Sequence, residues 1–336
     1  MPRHVVVRAA NRLHFGLFAL AAQNTAQPAA QNAAPVGANE ERSYGGVGVM
    51  VDSPLSLTLN IRPREVVRKT DSPLAERIQV FARRWSDFYS RPIDDAEIFL
   101  TNHAPDHIGL GTGTQLGLSI AAGLAAFFDL PVPPIEELVR SVGRGTRSAV
   151  GAYGFSMGGL IVDRGKLPGE FLAPLDCRLE MPADWRFLLV RPLQGTGLAG
   201  ECEQVAMDQA ARNLAPLTEK LVTEAREHLV PAAATGQFAD FAASLGRYCE
   251  TAGQFYADVQ GGPFNGPVVT ALAERIRSLG YNGLGQSSWG PTLFVACENE
   301  SAAQLLATKL RGSESTAPID FAIARICNSP ASITVQ

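Results

Sequence analysis

The chain has 336 residues, 46% hydrophobic and 18% charged, with a formal net charge of −4. That apolar fraction sustains a sizeable core and excludes global disorder, which needs low hydrophobicity and high net charge. The weakly negative balance argues against nucleic acid or an anionic membrane as partner. No apolar run reaches the roughly 18 residues of a spanning helix, and the first apolar stretch is too short for a signal peptide, so a cytoplasmic protein is expected.

In chain order, Val5-Val6-Val7 opens a first strand that Leu13, Phe15 and Leu17 continue. Residues 21–39 are almost wholly Ala, Gln, Asn and Pro, a low-complexity insert with little apolar side-chain area to bury. Gly45-Gly46-Val47-Gly48 reads as a turn. From Leu55 to Ile61 apolar and polar residues alternate, as in a half-buried strand. Ile78, Phe81, Ala82, Trp85 and Phe88 recur at helical spacing within residues 74–89, an amphipathic helix. A short strand follows over 97–101, a buried helix over 114–128 and a second helix over 134–142. Gly158-Gly159 turns into a strand that ends at Asp163. Turn residues without periodicity between 168 and 182 mark a domain boundary. Beyond it come a strand over 186–191, long helices over 202–228 and 238–256, and a helix over 268–279. A strand over 292–297, a helix over 301–311 and a last strand over 320–326 complete the chain. This order predicts an α+β sandwich, and the long helices after Cys202 offer a face for a homodimer. The five cysteines, Cys177, Cys202, Cys249, Cys297 and Cys327, are widely spaced without a C-x-x-C pair, and read as buried free thiols.

The strongest chemical signal is the run from Pro105 through Asp106, His107, Gly109, Gly111, Thr112, Gly113 and Thr114 to Gln115. Three glycines in five residues let the backbone approach a ligand, and the threonines add hydroxyls. The helix that follows presents unpaired N–H groups and a positive dipole end. Together they suit a phosphate or pyrophosphate. The run lacks the Gly-Lys-Ser/Thr of a Walker A loop and is not G-x-G-x-x-G; a glycine loop without a ligand is the bland alternative. Arg140, Arg144 and Arg147 stand four and three apart, so they share one face if the helix persists. Interleaved glycines suit a phosphate grip, against a solvated basic face. Arg12 and His14 lie on one side of the first strand by its period of two, a position where histidine is more often structural. Gly283 to Pro291, with Gln286, Ser287 and Ser288, is a second candidate loop in front of a strand.

These pieces resemble the GHMP kinase superfamily, whose anion loop has the form P-x-x-x-G-L-G-S-S. Here Gly109-Leu110-Gly111-Thr112-Gly113 matches it, with Thr112 and Gly113 in place of the serines. The nearer likeness is to the β-ribofuranosylaminobenzene 5′-phosphate synthase branch. Arg12 to Phe15, Tyr44 to Gly48, His107 to Gln115, and Arg147-Ser148 through Phe155, Gly158-Gly159 and Ile161 to Asp163 carry it. The resemblance spans nearly the whole chain except the insert. It implies a two-domain α+β fold: an N-terminal domain like ribosomal protein S5 domain 2 over residues 1–178, and a ferredoxin-like α/β sandwich over residues 179–336.

Superfamily kinases often carry an Asp about eight residues before the Gly-Gly turn. Here that position is Val150, and no carboxylate lies between Ser141 and Met157. Phosphoryl transfer with the usual acids is hard to stage, whereas Arg144 and Arg147 suit direct phosphate binding. The branch implies condensation of 5-phosphoribosyl 1-diphosphate with 4-aminobenzoate, releasing CO2 and diphosphate, in tetrahydromethanopterin biosynthesis and C1 metabolism. 4-Hydroxybenzoate has the same para-donor logic as an acceptor. Under this implication the Gly109–Gln115 loop binds diphosphate, with magnesium held by Asp106 or Glu201. Arg144 and Arg147 bind the 5-phosphate or the aromatic carboxylate. Arg12 and His14 line the acceptor pocket, His107 lies near the leaving group, and Ser287 and Ser288 close the site. The alternatives are an ATP-dependent small-molecule kinase of the superfamily and a non-catalytic metabolite-binding protein.

Overall fold

The computed structural model describes residues 3–18, 42–64, 72–193, 215–312 and 318–336. The low-complexity insert, Glu201 and Cys202 lie outside them. Two antiparallel sheets organise the rest. The first is built from β1 (Val5–Ala9), β4 (Leu57–Pro63), β5 (Ala96–Asn102) and β12 (Ser332–Val335), in the order β12-β1-β4-β5. The second holds eight strands, centred on β3 (Gly46–Asp52). Along β3 runs β2 (Asn11–Leu17); β6 (Leu160–Asp163) and β11 (Ile319–Ile326) also pair with it, β6 over residues 46–49 and β11 over its last two residues. From β6 the sheet ends in β7 (Leu175–Leu179); from β11 it continues through β8 (Arg186–Pro192) and β10 (Leu293–Cys297) to β9 (Leu284–Gln286).

The helices follow from composition. In α1 (Pro73–Tyr89), Ser72 caps the first turn by accepting from the Ala75 N–H, and the buried stripe is Ile78, Phe81, Ala82 and Trp85, the predicted amphipathic face. Helix α2 (Thr112–Phe127) is apolar all round and buried over residues 115–125. Its small residues let it sit close on the first sheet: a Cβ at Gly123 would lie 2.8 Å from Ile61 Cδ1. Leu118 and Leu124 meet Val7, Leu59 and Ile61 in one core, all 0% exposed, each burial contributing about 1.5–3 kcal/mol. The other helices of the first half are α3 (Ile135–Ser141) and α4 (Val150–Met157). In the second half, α5 (Ala215–Thr223) passes through a π-type turn at Glu224–Leu229 into α6 (Val230–Ala234). Then come α7 (Phe238–Gln254), α8 (Ala257–Gln260), α9 (Gly266–Ser278) and α10 (Glu300–Arg311). No helix among the described residues is long and apolar enough to cross a membrane, and Cys177, Cys249, Cys297 and Cys327 are free thiols.

Several local expectations change. The expected first strand is two, because the chain crosses at Ala10 from the first sheet to the second. Gly46 and Gly48 are not turn residues but lie inside β3, where a Cβ at Gly48 would meet the Leu13 carbonyl oxygen at 2.4 Å. The common face of Arg140, Arg144 and Arg147 does not exist. α3 ends at Ser141, and Gly143 and Gly145 take φ of 64° and 80°, which glycine adopts without strain. Arg140 instead stacks on the Phe171 ring at 4.5 Å. The sheet crosses from one half of the chain to the other at β3–β11, and β12 returns to the first sheet. Gly123→Val must push Ile61 aside and should lower the unfolding free energy by about 1–3 kcal/mol, read as a lower urea midpoint with unchanged slope.

Candidate active site

The glycine run lies between β5 and α2 and is stitched by backbone to two distant segments. The Arg12 N–H donates to the Leu110 carbonyl at 3.1 Å. Ser287 Oγ donates to the Gly109 carbonyl at 2.7 Å and accepts the His14 N–H at 3.1 Å. Gly109 and Gly111 have φ of 88° and 70°. A Cβ at Gly109 would stand 2.2 Å from the Ser287 carbonyl oxygen, so only glycine fits. Gly111 is the N-cap of α2 and supplies no side-chain cap, which leaves first-turn N–H groups for a ligand.

These segments border a cavity of about 600 Å³. Thr112, Gly113 and Thr114 line it with His107, and so do four guanidiniums: Arg12, Arg77, Arg144 and Arg147. Among the described residues no carboxylate lines it. The arginines are held close to the helix terminus. A Cβ at Gly113 would lie 3.0 Å from an Nη2 of both Arg77 and Arg144, and one at Gly111 would lie 3.1 Å from Arg12 Nε. Arg144 also stacks on the Phe81 ring at 4.9 Å. Guanidiniums concentrated at a positive helix end favour a polyanion with several phosphate oxygens.

A second part of the lining is apolar: Phe15, Leu17, Ala252, Tyr256, Pro263 and Trp289. Tyr256 and Trp289 pack with ring centroids 4.4 Å apart at 57°. Residues 252–263 and 289 come from the C-terminal half, so the cavity joins a cationic rim from one half to an aromatic wall from the other. Gln286 and Ser288 also line it. Ser287 does not: it is 0% exposed and spent on the two backbone bonds above. Gln115 is likewise withdrawn from phosphate binding, since it is 1% exposed and its amide donates to the Gly151 carbonyl at 2.9 Å. Cys249 lies in the wall, its thiol pushed up by burial and kept protonated.

Asp106, a predicted magnesium ligand, is instead paired with Arg77. Among the described residues no group of three His, Cys, Asp or Glu gathers as a metal site, and Glu201 is outside them. Among the described residues, then, the cavity lining offers no carboxylate to hold magnesium.

His14 is buried, and its ring nitrogens are both engaged. Nδ1 accepts the Gly16 N–H at 3.2 Å, which places the ring proton on Nε2, 3.1 Å from Ser148 Oγ. Ser148 in turn donates to Asp163 Oδ2 at 2.8 Å. Asp163 is 0% exposed and also accepts the Ala149 and Gly165 N–H groups at 2.8 and 2.9 Å. Burial first, then Arg12, hold His14 well below its usual value, so the imidazole is neutral. Burial raises Asp163 to about 6, against the pull of its hydrogen bonds. Ser148 and Asp163 belong to the run that carries the sequence resemblance, but nothing in their spacing assigns them to a chain ending at His14. Arg77 has no motif around it, and Tyr256 no signal beyond helix patterning.

The structure brings Arg12, His14, His107 and Arg147 together with the glycine run and Arg144 in the lining of one cavity. Gly109→Ala, forced into both a left-handed φ and the Ser287 carbonyl, should cost about 1–3 kcal/mol or more, read by denaturant titration. A folded-state value below the unfolded one means His14 contributes stability above about pH 6.5 that is lost as pH falls. Asp163 has the opposite sign: its contribution is present below its unfolded value of 3.8 and lost as pH rises through about 6. His14→Gln should therefore lose less Tm than the wild type between about pH 7 and about pH 5.5; an equally steep loss contradicts the burial of a neutral ring.

Residues 229–314 match the GHMP kinases C-terminal family. The chain is similar to β-ribofuranosylphenol 5′-phosphate synthase of Archaeoglobus fulgidus, 29% identical over 164 residues, 45% of this chain and 50% of the relative. To the enzyme of that name from Methanothermobacter thermautotrophicus it is 27% identical over 208 residues, 58% of this chain and 62% of the relative. The matched spans thus cover about half to three-fifths of those relatives. Homoserine kinase from Cytophaga hutchinsonii superposes with a TM-score of 0.64 at 13% identity, covering 99% of this chain and 97% of that one, a likeness of fold. Residues 229–314 thus carry the GHMP kinases C-terminal family, and the chain is similar to two β-ribofuranosylphenol 5′-phosphate synthases.

Proposed function

We propose that the protein transfers phosphoribosyl from 5-phosphoribosyl 1-diphosphate to 4-aminobenzoate or 4-hydroxybenzoate, with loss of CO2 and diphosphate. The observation that carries this reading is the composition of one cavity among the described residues: four guanidiniums around a glycine-capped helix terminus, no lining carboxylate, and an aromatic wall beside them. A sugar carrying three phosphate groups matches the first feature and a flat para-substituted ring the second. The names of the two synthase relatives support the same pairing of phosphosugar and aromatic ring.

On this reading Gly111, Thr112, Gly113 and Thr114 receive the diphosphate and stabilise the charge that grows as it departs. Arg144 and Arg147, brought inward by Gly143 and Gly145, hold a phosphate or the acceptor's carboxylate in bidentate fashion. Tyr256 and Trp289 hold the ring, so that its carboxyl-bearing carbon attacks the sugar carbon as the diphosphate leaves. The para substituent feeds electrons to that carbon, and loss of CO2 restores aromaticity. His107 stands beside the glycine run, where a donor assists the leaving group. Positioning of two bound substrates supplies much of the rate.

Purified protein given carboxyl-labelled acceptor, phosphoribosyl diphosphate and magnesium, without ATP, should release labelled CO2. ADP from ATP and an alcohol panel, with no CO2, would instead make it a superfamily kinase; binding without either product would make it a metabolite-binding protein. Arg147→Ala should lower kcat/KM by about tenfold or more, and Gly111→Val should weaken inorganic pyrophosphate in isothermal titration by a similar factor. Undiminished affinity in the second variant removes the loop from the site.

A further inference from the structure

Among the described residues no carboxylate lines the cavity, yet one stands a single hydroxyl behind it. Ser148 lines the cavity, and its Oγ donates to Asp163 Oδ2 at 2.8 Å. Asp163 is fully buried at the end of β6 and is fixed by the Ala149 and Gly165 N–H groups. Ser148 Oγ meanwhile accepts the Val150 N–H at 3.2 Å and His14 Nε2–H at 3.1 Å. Both bonds lie at the long end of the hydrogen-bond range. A substrate hydroxyl entering from the cavity can take over one of them without disturbing the short bond to Asp163.

The two acceptor classes differ in their need for such a group. An aromatic amine offers its lone pair to the ring as it stands. A phenol becomes a strong para donor when its O–H is broken. We infer that Ser148 and Asp163 form a proton relay that ionises a hydroxylic acceptor, and so make the cavity competent for 4-hydroxybenzoate-type rings. The inference rests on the reading of the site as a phosphoribosyl transferase.

The step balances. The acceptor O–H bond breaks and its proton bonds to Ser148 Oγ, while the proton of Ser148 passes to Asp163 Oδ2. The pair left on the phenolate oxygen feeds the carboxyl-bearing carbon, which bonds to the sugar carbon as the diphosphate leaves with its own bonding pair. The carbon–CO2 bond then breaks and its pair returns to the ring. The product phenolate regains a proton from Asp163 through Ser148, so the relay is restored.

The surroundings suit the role. The phenols nearest in electrostatic terms are Tyr153 on α4 and Tyr248 on α7. Both donate elsewhere, to the Ala173 and Gly16 carbonyls at 3.0 Å, so neither competes for Asp163. Arg12 acts electrostatically on His14, which hydrogen-bonds Ser148. Burial raises Asp163 towards neutrality, which lets it accept a proton and return it. His14, neutral and held through both ring nitrogens, positions Ser148 rather than titrating.

The test compares acceptors in one variant. Ser148→Ala, assayed by CO2 release, should lose at least tenfold more kcat with 4-hydroxybenzoate than with 4-aminobenzoate. With fluorinated 4-hydroxybenzoates of increasing hydroxyl acidity the loss should shrink, because those rings arrive already ionised. Ser148→Thr, which keeps the hydroxyl, should restore discrimination towards wild type. Asp163→Asn should show the same acceptor dependence, and Ser148→Ala keeps the inference testable if that variant does not fold. Equal losses on both acceptors, or a loss independent of hydroxyl acidity, would overturn the relay while leaving the transferase reading in place. A wild type that releases CO2 from neither acceptor would sink that reading and the relay with it.

Discussion

The structure depends on bringing positive charge to a helix terminus without any side chain to shield it. Gly111 caps α2 with backbone alone, and Gly113 in the first turn leaves room for the guanidiniums of Arg77 and Arg144 to lie against the chain. A Cβ at either point would crowd an arginine side chain, which must then give way slightly. The same economy appears at Gly109, which touches the Ser287 carbonyl through space that a Cβ would occupy. Glycine here is a requirement of close approach, and the cationic rim of the cavity is its consequence.

The closure of the cavity is a property of chain topology. β2 carries Arg12 and His14 in the second sheet, and Ser287 ties the His14 backbone to the glycine run at Gly109. The C-terminal half contributes Tyr256 and Trp289, and its strand β11 joins β3 directly. The two halves therefore share hydrogen-bonded sheet as well as cavity lining. Parts separated by more than 270 residues in sequence, such as His14 and Ser287, lie within one hydrogen bond.

Much of this was legible in the residues. The 3.6 period of α1, the apolar length of α2 and the glycine run each follow from local rules that the tertiary fold does not override. Helix α4 was not legible: residues 150–155 are all buried, so it has no polar face and no period, and two glycines weaken its propensity. Arg140 does not share a face with Arg144 and Arg147, because the helix ends at Ser141 and Gly143 and Gly145 turn the chain. Gln115 and Ser287 carry groups that suit a ligand, but the fold spends them on backbone. The hydrogen-bonded chain from His14 to Asp163 arises where three elements meet, and no one-dimensional spacing encodes that meeting. Asp163 reaches Ser148 from the end of β6, fifteen residues along the chain, through one hydrogen bond.

A crystal structure of the protein with 5-phosphoribosyl 1-diphosphate tests the central claim most directly. The account predicts the diphosphate against residues 111–114, within reach of Arg144 and Arg147, with the sugar facing Tyr256 and Trp289. Finding that turn empty and the anion seated elsewhere would contradict it.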